Sequence, residues 1–183
     1  MIVAQRQSGK LLGVDFECRY TDDNQMAKFA MGNGLLGKPV LGEARLKWYR
    51  SQSYYDAGGW RGTWAMDGGG ALANQSIHWI DMLQWVMGPA KRIWGRIATA
   101  THSIETEDLG MAMIEFASGA QGGILGTTTH PANTMAGLEI HGSEGAFLNT
   151  RSKPEWIFLE GLENRKEQLQ RVTSSKNVIE DMV

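Results

Sequence analysis

Three polar residues on one apolar stretch, Asn74, His78 and Asp81, are the groups of this sequence best placed to do chemistry. Drawn as a helix at about 100° per residue, they share a stripe roughly 60° wide. Ile77, Ile80, Leu83, Val86 and Met87 fill the broad opposite arc. A helix buried on most sides needs such a stripe satisfied, and a bound polar ligand or a wet cleft satisfies it. Asn74 and His78 lie one turn apart, so both can reach one substrate hydroxyl. Histidine can take the hydroxyl proton near neutral pH. Asparagine donates to or accepts from the same oxygen without carrying charge. His78 and Asn74 are therefore the catalytic candidates, and Asp81 either orients the histidine or caps a neighbouring backbone group. A lone histidine on a buried helix is more often an ordinary core residue, so the pattern alone does not establish catalysis. His78 and Asp81 are too few for a metal, and His102, His130 and His141 lack ligand spacing around them, so no metal is expected.

The elements that must hold these groups follow from pattern. Ala71–Met87 is predicted as one helix, entered through Gly68-Gly69-Gly70 and stopped by Gly88-Pro89. Leu11–Phe16 is predicted as a buried strand, and 24–31 as a helix with Thr21, Asp22 and Asp23 at its start. Glu43–Arg50 alternates, with Ala44, Leu46 and Trp48 on one face. Residues 51–70 form a long irregular stretch rich in Gly, Trp, Tyr and Arg, a composition that argues for function rather than disorder. Strands are predicted at 93–99, 110–116, 121–129, 138–141, 146–148 and 156–159, with turns at Ser118-Gly119 and at 143–145. Short connections between consecutive strands give a mainly antiparallel, open sheet, and the fold class is α+β with helices on one face.

Composition narrows the function. The chain has 183 residues and a formal net charge of -2, with no basic field to hold nucleic acid. No apolar run approaches the roughly 18–20 residues of a membrane span. Met1–Lys10 is polar and lacks a signal peptide's apolar segment. Cys18 is the only cysteine, which excludes an internal disulfide or a multi-cysteine metal site and makes a reducing cytoplasm the expected compartment. Seven tryptophans in so short a chain suit a large core, a carbohydrate face or a subunit interface.

The run from Asp67 through Gly68-Gly-Gly-Ala-Leu-Ala-Asn74 to His78 and Asp81 resembles the signature of the glucose-fructose oxidoreductase / inositol dehydrogenase / MocA family. Gly13–Tyr20 looks like that family's crossover out of its nucleotide domain, and Gly34-Leu-Leu-Gly-Lys-Pro-Val resembles the turn between its next helix and strand. Leu138-Glu-Ile-His-Gly-Ser-Glu-Gly145 resembles its hairpin. The likeness runs from about Gly9 to about Glu160.

The resemblance implies an NAD(P)-dependent oxidoreductase acting on a sugar, polyol or related secondary alcohol. His78 matches the family histidine that takes the hydroxyl proton, and Asn74 the partner position, often Asp elsewhere. Arg19, Trp60, Arg61 and Asp81 are implied at the substrate cleft. Residues 1–16 are then the remnant of a nucleotide-binding domain, and 17–183 the substrate-binding and oligomerisation domain, cut short within a helix beginning after Ser174-Ser175. No Gly-x-Gly-x-x-Gly follows a strand near the start, and no Glu-Lys-Pro, the family's lysine motif, occurs. The expectation is a domain inactive by itself, with no cofactor site of its own. NAD or NADP belongs to the full-length protein, and a homo-oligomer forms through the sheet face. Two rival readings are a non-catalytic assembly module that kept the sheet, and a hydrolase or metal enzyme built on His78 and Asp81.

Overall fold

The structure is a computed structural model and describes residues 1–150 and 153–169. After a short helix, α1 (Ile2–Ser8), residues 11–16 belong to no helix or strand and have no ladder partner. The strand expected there is thus corrected. An apolar run makes a strand only where a sheet edge is open to it, and this one keeps Leu11 and Val14 more than four-fifths exposed (86% and 81%). A 3₁₀ turn (Glu17–Tyr20) leads into α2 (Asp22–Gly32), then β1 (Pro39–Lys47). The irregular stretch holds one short helix, α3 (Gln52–Asp56).

The expected single helix over 71–87 is broken. Ala71–Gln75 is a π-helical turn, and α4 begins at Ile77 and ends at Met87. Ser76 makes the break: its N–H and its hydroxyl both donate to the Ala71 carbonyl, at 2.9 and 2.7 Å. A serine hydroxyl that bonds back to the preceding turn competes with the regular ladder. The 100° wheel therefore does not run continuously from Asn74 to His78.

Strands β2 (Ala90–Ala98), β3 (Leu109–Phe116), β4 (Gln121–Thr127), β5 (Met135–Gly142), β6 (Gly145–Thr150) and β7 (Lys153–Phe158) follow, and α5 (Arg165–Leu169) is the last described element. The sheet is open, in the order β2-β3-β4-β1-β5-β6-β7. All neighbours are antiparallel except the central pair β1 and β4, which is parallel with Ala44 opposite Ile124. The mainly antiparallel α+β sheet expected from the sequence is present, and its parallel centre arises because the chain crosses over through α4 before returning beside β1. The helix expected after Ser175 lies outside the described residues.

One sheet face is covered. Along β1 the inward positions Gly42, Ala44 and Leu46 are buried. Met82, Leu83, Val86 and Met87 of α4 meet Ile114, Phe116, Leu138, Ile140 and Phe147 in one apolar core. Gly42 lets the helix lie close, because a Cβ there would stand 2.7 Å from Leu83 Cδ1 and 2.8 Å from Met87 Cγ. Among the described residues no helix is long and apolar enough to cross a membrane.

Candidate functional site

His78 opens the first turn of α4 and is half-buried. Its Nδ1 is buried and has no hydrogen-bond partner among the described residues. The Phe16 ring stands edge-on to the imidazole, 6.3 Å between centroids. Arg19, on the 3₁₀ turn, grips Asp81 with two bonds, Nε to Oδ2 at 2.7 Å and Nη2 to Oδ1 at 2.5 Å. Its guanidinium also lies over the rings of Phe16 and Trp85, at 5.4 and 5.6 Å. This forked pair spans 62 residues of sequence and ties the turn after residue 16 to α4. Asp81 therefore neither orients His78 nor caps a backbone group: both its oxygens accept from Arg19, because a carboxylate next to a planar guanidinium gains two charge-assisted bonds there.

Asn74 sits on the π turn, in a separate network. Its Nδ2 donates to Asp67 Oδ1 at 2.6 Å, and its Oδ1 accepts from Gln75 Nε2 at 2.8 Å. Asp67 Oδ2 accepts the Gly62 N–H at 2.9 Å, so the same carboxylate holds the Trp60–Arg61 loop. The Arg61 guanidinium stacks on the rings of Tyr54 and Trp60, each at 4.7 Å. Of the six predicted site residues, His78, Arg19 and Asp81 thus form one group, and Asn74, Trp60 and Arg61 belong to another around Asp67. The backbone of residues 74–78 joins them.

The entry to the π turn is built by Glu107, which is buried. Its carboxylate accepts the N–H groups of Gly70 and Leu72, both at 2.9 Å, and its carbonyl accepts that of Ala71 at 2.8 Å. Gly70 is required at this seam, since a Cβ there would stand 1.9 Å from the Glu107 carbonyl oxygen. The N-terminal donors that could cradle a phosphate are therefore already filled by a carboxylate. The only stretch with dinucleotide-type glycine spacing, Gly32-Asn-Gly-Leu-Leu-Gly37, ends α2 and leads into β1, the reverse of the strand-to-helix order such a cradle needs. The described residues contain no strand-to-helix glycine cradle. They also contain no cluster of three or more His, Cys, Asp or Glu able to hold a metal.

Asp67, Gln75, Phe16, Arg50 and Tyr54 were not singled out from the sequence. Asp67 had a signal, since it begins the Gly-rich run. The Trp-, Tyr- and Arg-rich stretch 51–70 pointed to Tyr54 only as one of a group, and Arg50 lies just outside it. Burial, then the carboxylates of Glu17, Asp81 and Asp15, push the Cys18 thiol above the ordinary range, which disfavours the thiolate that a nucleophile needs.

A family model described as the GFO/IDH/MocA C-terminal domain matches residues 24–148. The 1,5-anhydro-D-fructose reductase of Ensifer adhaerens is 27% identical over 151 residues, which are 81% of this chain and 44% of that protein. The WlbA dehydrogenase from Bordetella pertussis, solved with NADH and UDP-GlcNAcA, superposes with a TM-score of 0.83 at 32% identity, covering 91% of this chain and 51% of that one. Levoglucosan dehydrogenase, solved with NADH and levoglucosan, gives a TM-score of 0.73 at 26% identity over 83% of this chain and 44% of its own. The chain spans about half the length of these relatives.

Proposed function

Because this chain belongs to the GFO/IDH/MocA family, matching its C-terminal domain, we propose that it binds the substrate of an NAD(P)-dependent oxidoreductase acting on a sugar, polyol or related secondary alcohol. The single observation that carries this reading is the buried, unpartnered Nδ1 of His78. A buried imidazole nitrogen without a partner is costly, and a substrate hydroxyl would satisfy it. His78 takes the hydroxyl proton, and Asn74, held between Asp67 and Gln75, positions the same oxygen or its neighbour. The Arg19–Asp81 fork holds α4 against the turn that carries Phe16, so the imidazole faces a fixed wall. The nicotinamide, held by a companion domain, supplies the hydride acceptor. On this reading the chain does not turn over cofactor by itself, and it works in the cytoplasm.

Ligand titration of the chain with labelled histidine tests the binding. A sugar or polyol is expected to move the His78 ring resonances and leave those of buried His102 in place. If a broad panel of both moves neither, the domain is not a polyol receptor.

The uncovered sheet face supports a homo-oligomer. Met113 lies opposite Trp94 and Met111 opposite Arg96, so all four share the face away from α4. Together they line a shallow groove, and Met113 is 65% exposed. A one-sided sheet with clustered exposed apolar side chains is stabilised by a second layer, here a second copy. Met113→Lys is expected to shift the chain to monomer in sedimentation equilibrium without lowering its melting temperature. A wild-type chain that sediments as a monomer at high concentration would remove the proposal.

A further inference from the structure

Two arginines face the same ring without a carboxylate between them. The Arg50 guanidinium lies 5.3 Å from the centroid of Tyr54, and that of Arg61 lies 4.7 Å from it. Arg50 also lies over Trp48 at 5.0 Å. Neither arginine forms an ion pair among the described residues, and both Nε groups are buried without a hydrogen-bond partner. Nearby carboxylates are committed elsewhere: Asp67 to Asn74 and Gly62, Asp56 to Gln52, Glu105 to the Trp64 N–H. Two like charges crowded on one phenol repel, and a buried guanidinium donor left unpaired costs more than an exposed one. An anion between them would relieve both. The aromatic rings hold the two guanidinium planes by their faces. Arg50 Nη1 donates to the Tyr49 carbonyl at 3.0 Å and its Nη2 to Gln75, so the donors left for carboxylate or phosphate oxygens are the remaining N–H groups of Arg50 and the fork of Arg61.

This cluster is tied to the reactive helix. Arg50 Nη2 donates to Gln75 Oε1 at 2.6 Å, and Gln75 Nε2 donates to Asn74 Oδ1 at 2.8 Å. The Arg50 carbonyl is itself clamped by His102 Nε2 at 2.8 Å, so the backbone that carries the cation is fixed. Accordingly we infer that Arg50 and Arg61 form an anion subsite, and that the substrate is a sugar carrying a carboxylate or phosphate group. The inference rests on the reading of this chain as a sugar-binding domain and specifies the charge of what that domain takes.

The test uses the 183-residue chain, with nitrogen-15 signals of the arginine Nε groups as the readout. The probes are D-glucuronate, D-glucose 6-phosphate, D-glucose, acetate and inorganic phosphate. An anionic sugar is expected to bind at least about tenfold more tightly than glucose and to move the Arg50 and Arg61 signals. Whether glucuronate or glucose 6-phosphate binds better identifies the anion. Arg61→Gln should bring the affinity down to that for glucose, while Arg61→Lys, which keeps the charge, should retain part of the preference and guards against a folding defect. Equal binding of glucose and both charged sugars overturns the anion subsite and leaves the sugar reading intact. Arginine shifts with acetate or phosphate, but with no sugar of either kind, support the subsite and overturn the sugar reading. No arginine shift with any probe at tens of millimolar overturns the subsite.

Discussion

Replacing His78 with glutamine is expected to lower kcat about 10²–10⁴-fold when the domain is assayed together with a nicotinamide-binding domain, with a much smaller change in KM. Glutamine keeps the side chain polar and able to hydrogen-bond, but it cannot take up a proton near neutral pH. The fold should tolerate the change. His78 Nδ1 makes no bond among the described residues, and the imidazole is not part of the buried apolar core. The urea midpoint of the variant should therefore match that of the parent, which separates a chemical role from a structural one. A variant whose kcat stays within a few-fold would show that another group takes the proton. Asn74→Ala should behave differently, because Asn74 belongs to the Asp67–Gln75 network.

The largest stability effect is expected at Asp108. Asp108 is fully buried. Its carboxylate accepts from the backbone N–H groups of Ala100, Thr101 and His102 at 2.6, 2.9 and 3.0 Å. It also meets His102 Nδ1 at 2.8 Å, and the other imidazole nitrogen meets the Arg50 carbonyl. Tyr55 packs edge-on against that imidazole, 4.9 Å between centroids. Asp108→Ala strands three backbone donors and the histidine, and the expected loss is about 3–5 kcal/mol. That is a large part of the 5–15 kcal/mol typical of a whole domain. Linear extrapolation of urea unfolding measures it, and a loss below about 1 kcal/mol would mean the loop relaxes without its carboxylate.

The same group sets a pH dependence. Burial alone would raise the Asp108 carboxyl, but the N–H donors and His102 outweigh it and hold the carboxyl below its ordinary value of 3.8. A carboxylate depressed in the folded state adds stability that is complete above the unfolded value. That stability is lost as pH falls through the lower folded value. The stability gap between the parent and Asp108→Asn should thus be widest at mild pH and should close below about pH 3.8. A gap that stays constant down to strongly acid conditions would assign the effect to shape rather than charge.

How much of this was legible beforehand depended on distance along the chain. Strands β2 to β7 follow from local alternation and from glycine turns, and a turn closes only a few residues. Asn74, His78 and Asp81 stood out because they lie close together on an otherwise apolar stretch. The composition likewise pointed away from nucleic acid and from a membrane-spanning helix without any contact being known. Tertiary structure alone decided the rest. The Arg19–Asp81 fork closes across 62 residues, the Arg50–Gln75 bond across 25, and the Glu107 carboxylate reaches back 37 residues to Gly70. No periodicity encodes which of many carboxylates a guanidinium will meet. The break at Ser76 was also hidden: a serine within a helical pattern shows its competing bond to the preceding carbonyl only when the surrounding packing makes it the better partner. The parallel centre of the sheet has the same origin, since pairing depends on which edge a returning strand finds open. Sequence by itself therefore determined the strands of the sheet and most of the residue types at the candidate site. The fold determined which of those side chains are spent on one another and which polar atoms, His78 Nδ1 and the Arg50 and Arg61 Nε groups among them, are buried without a partner among the described residues.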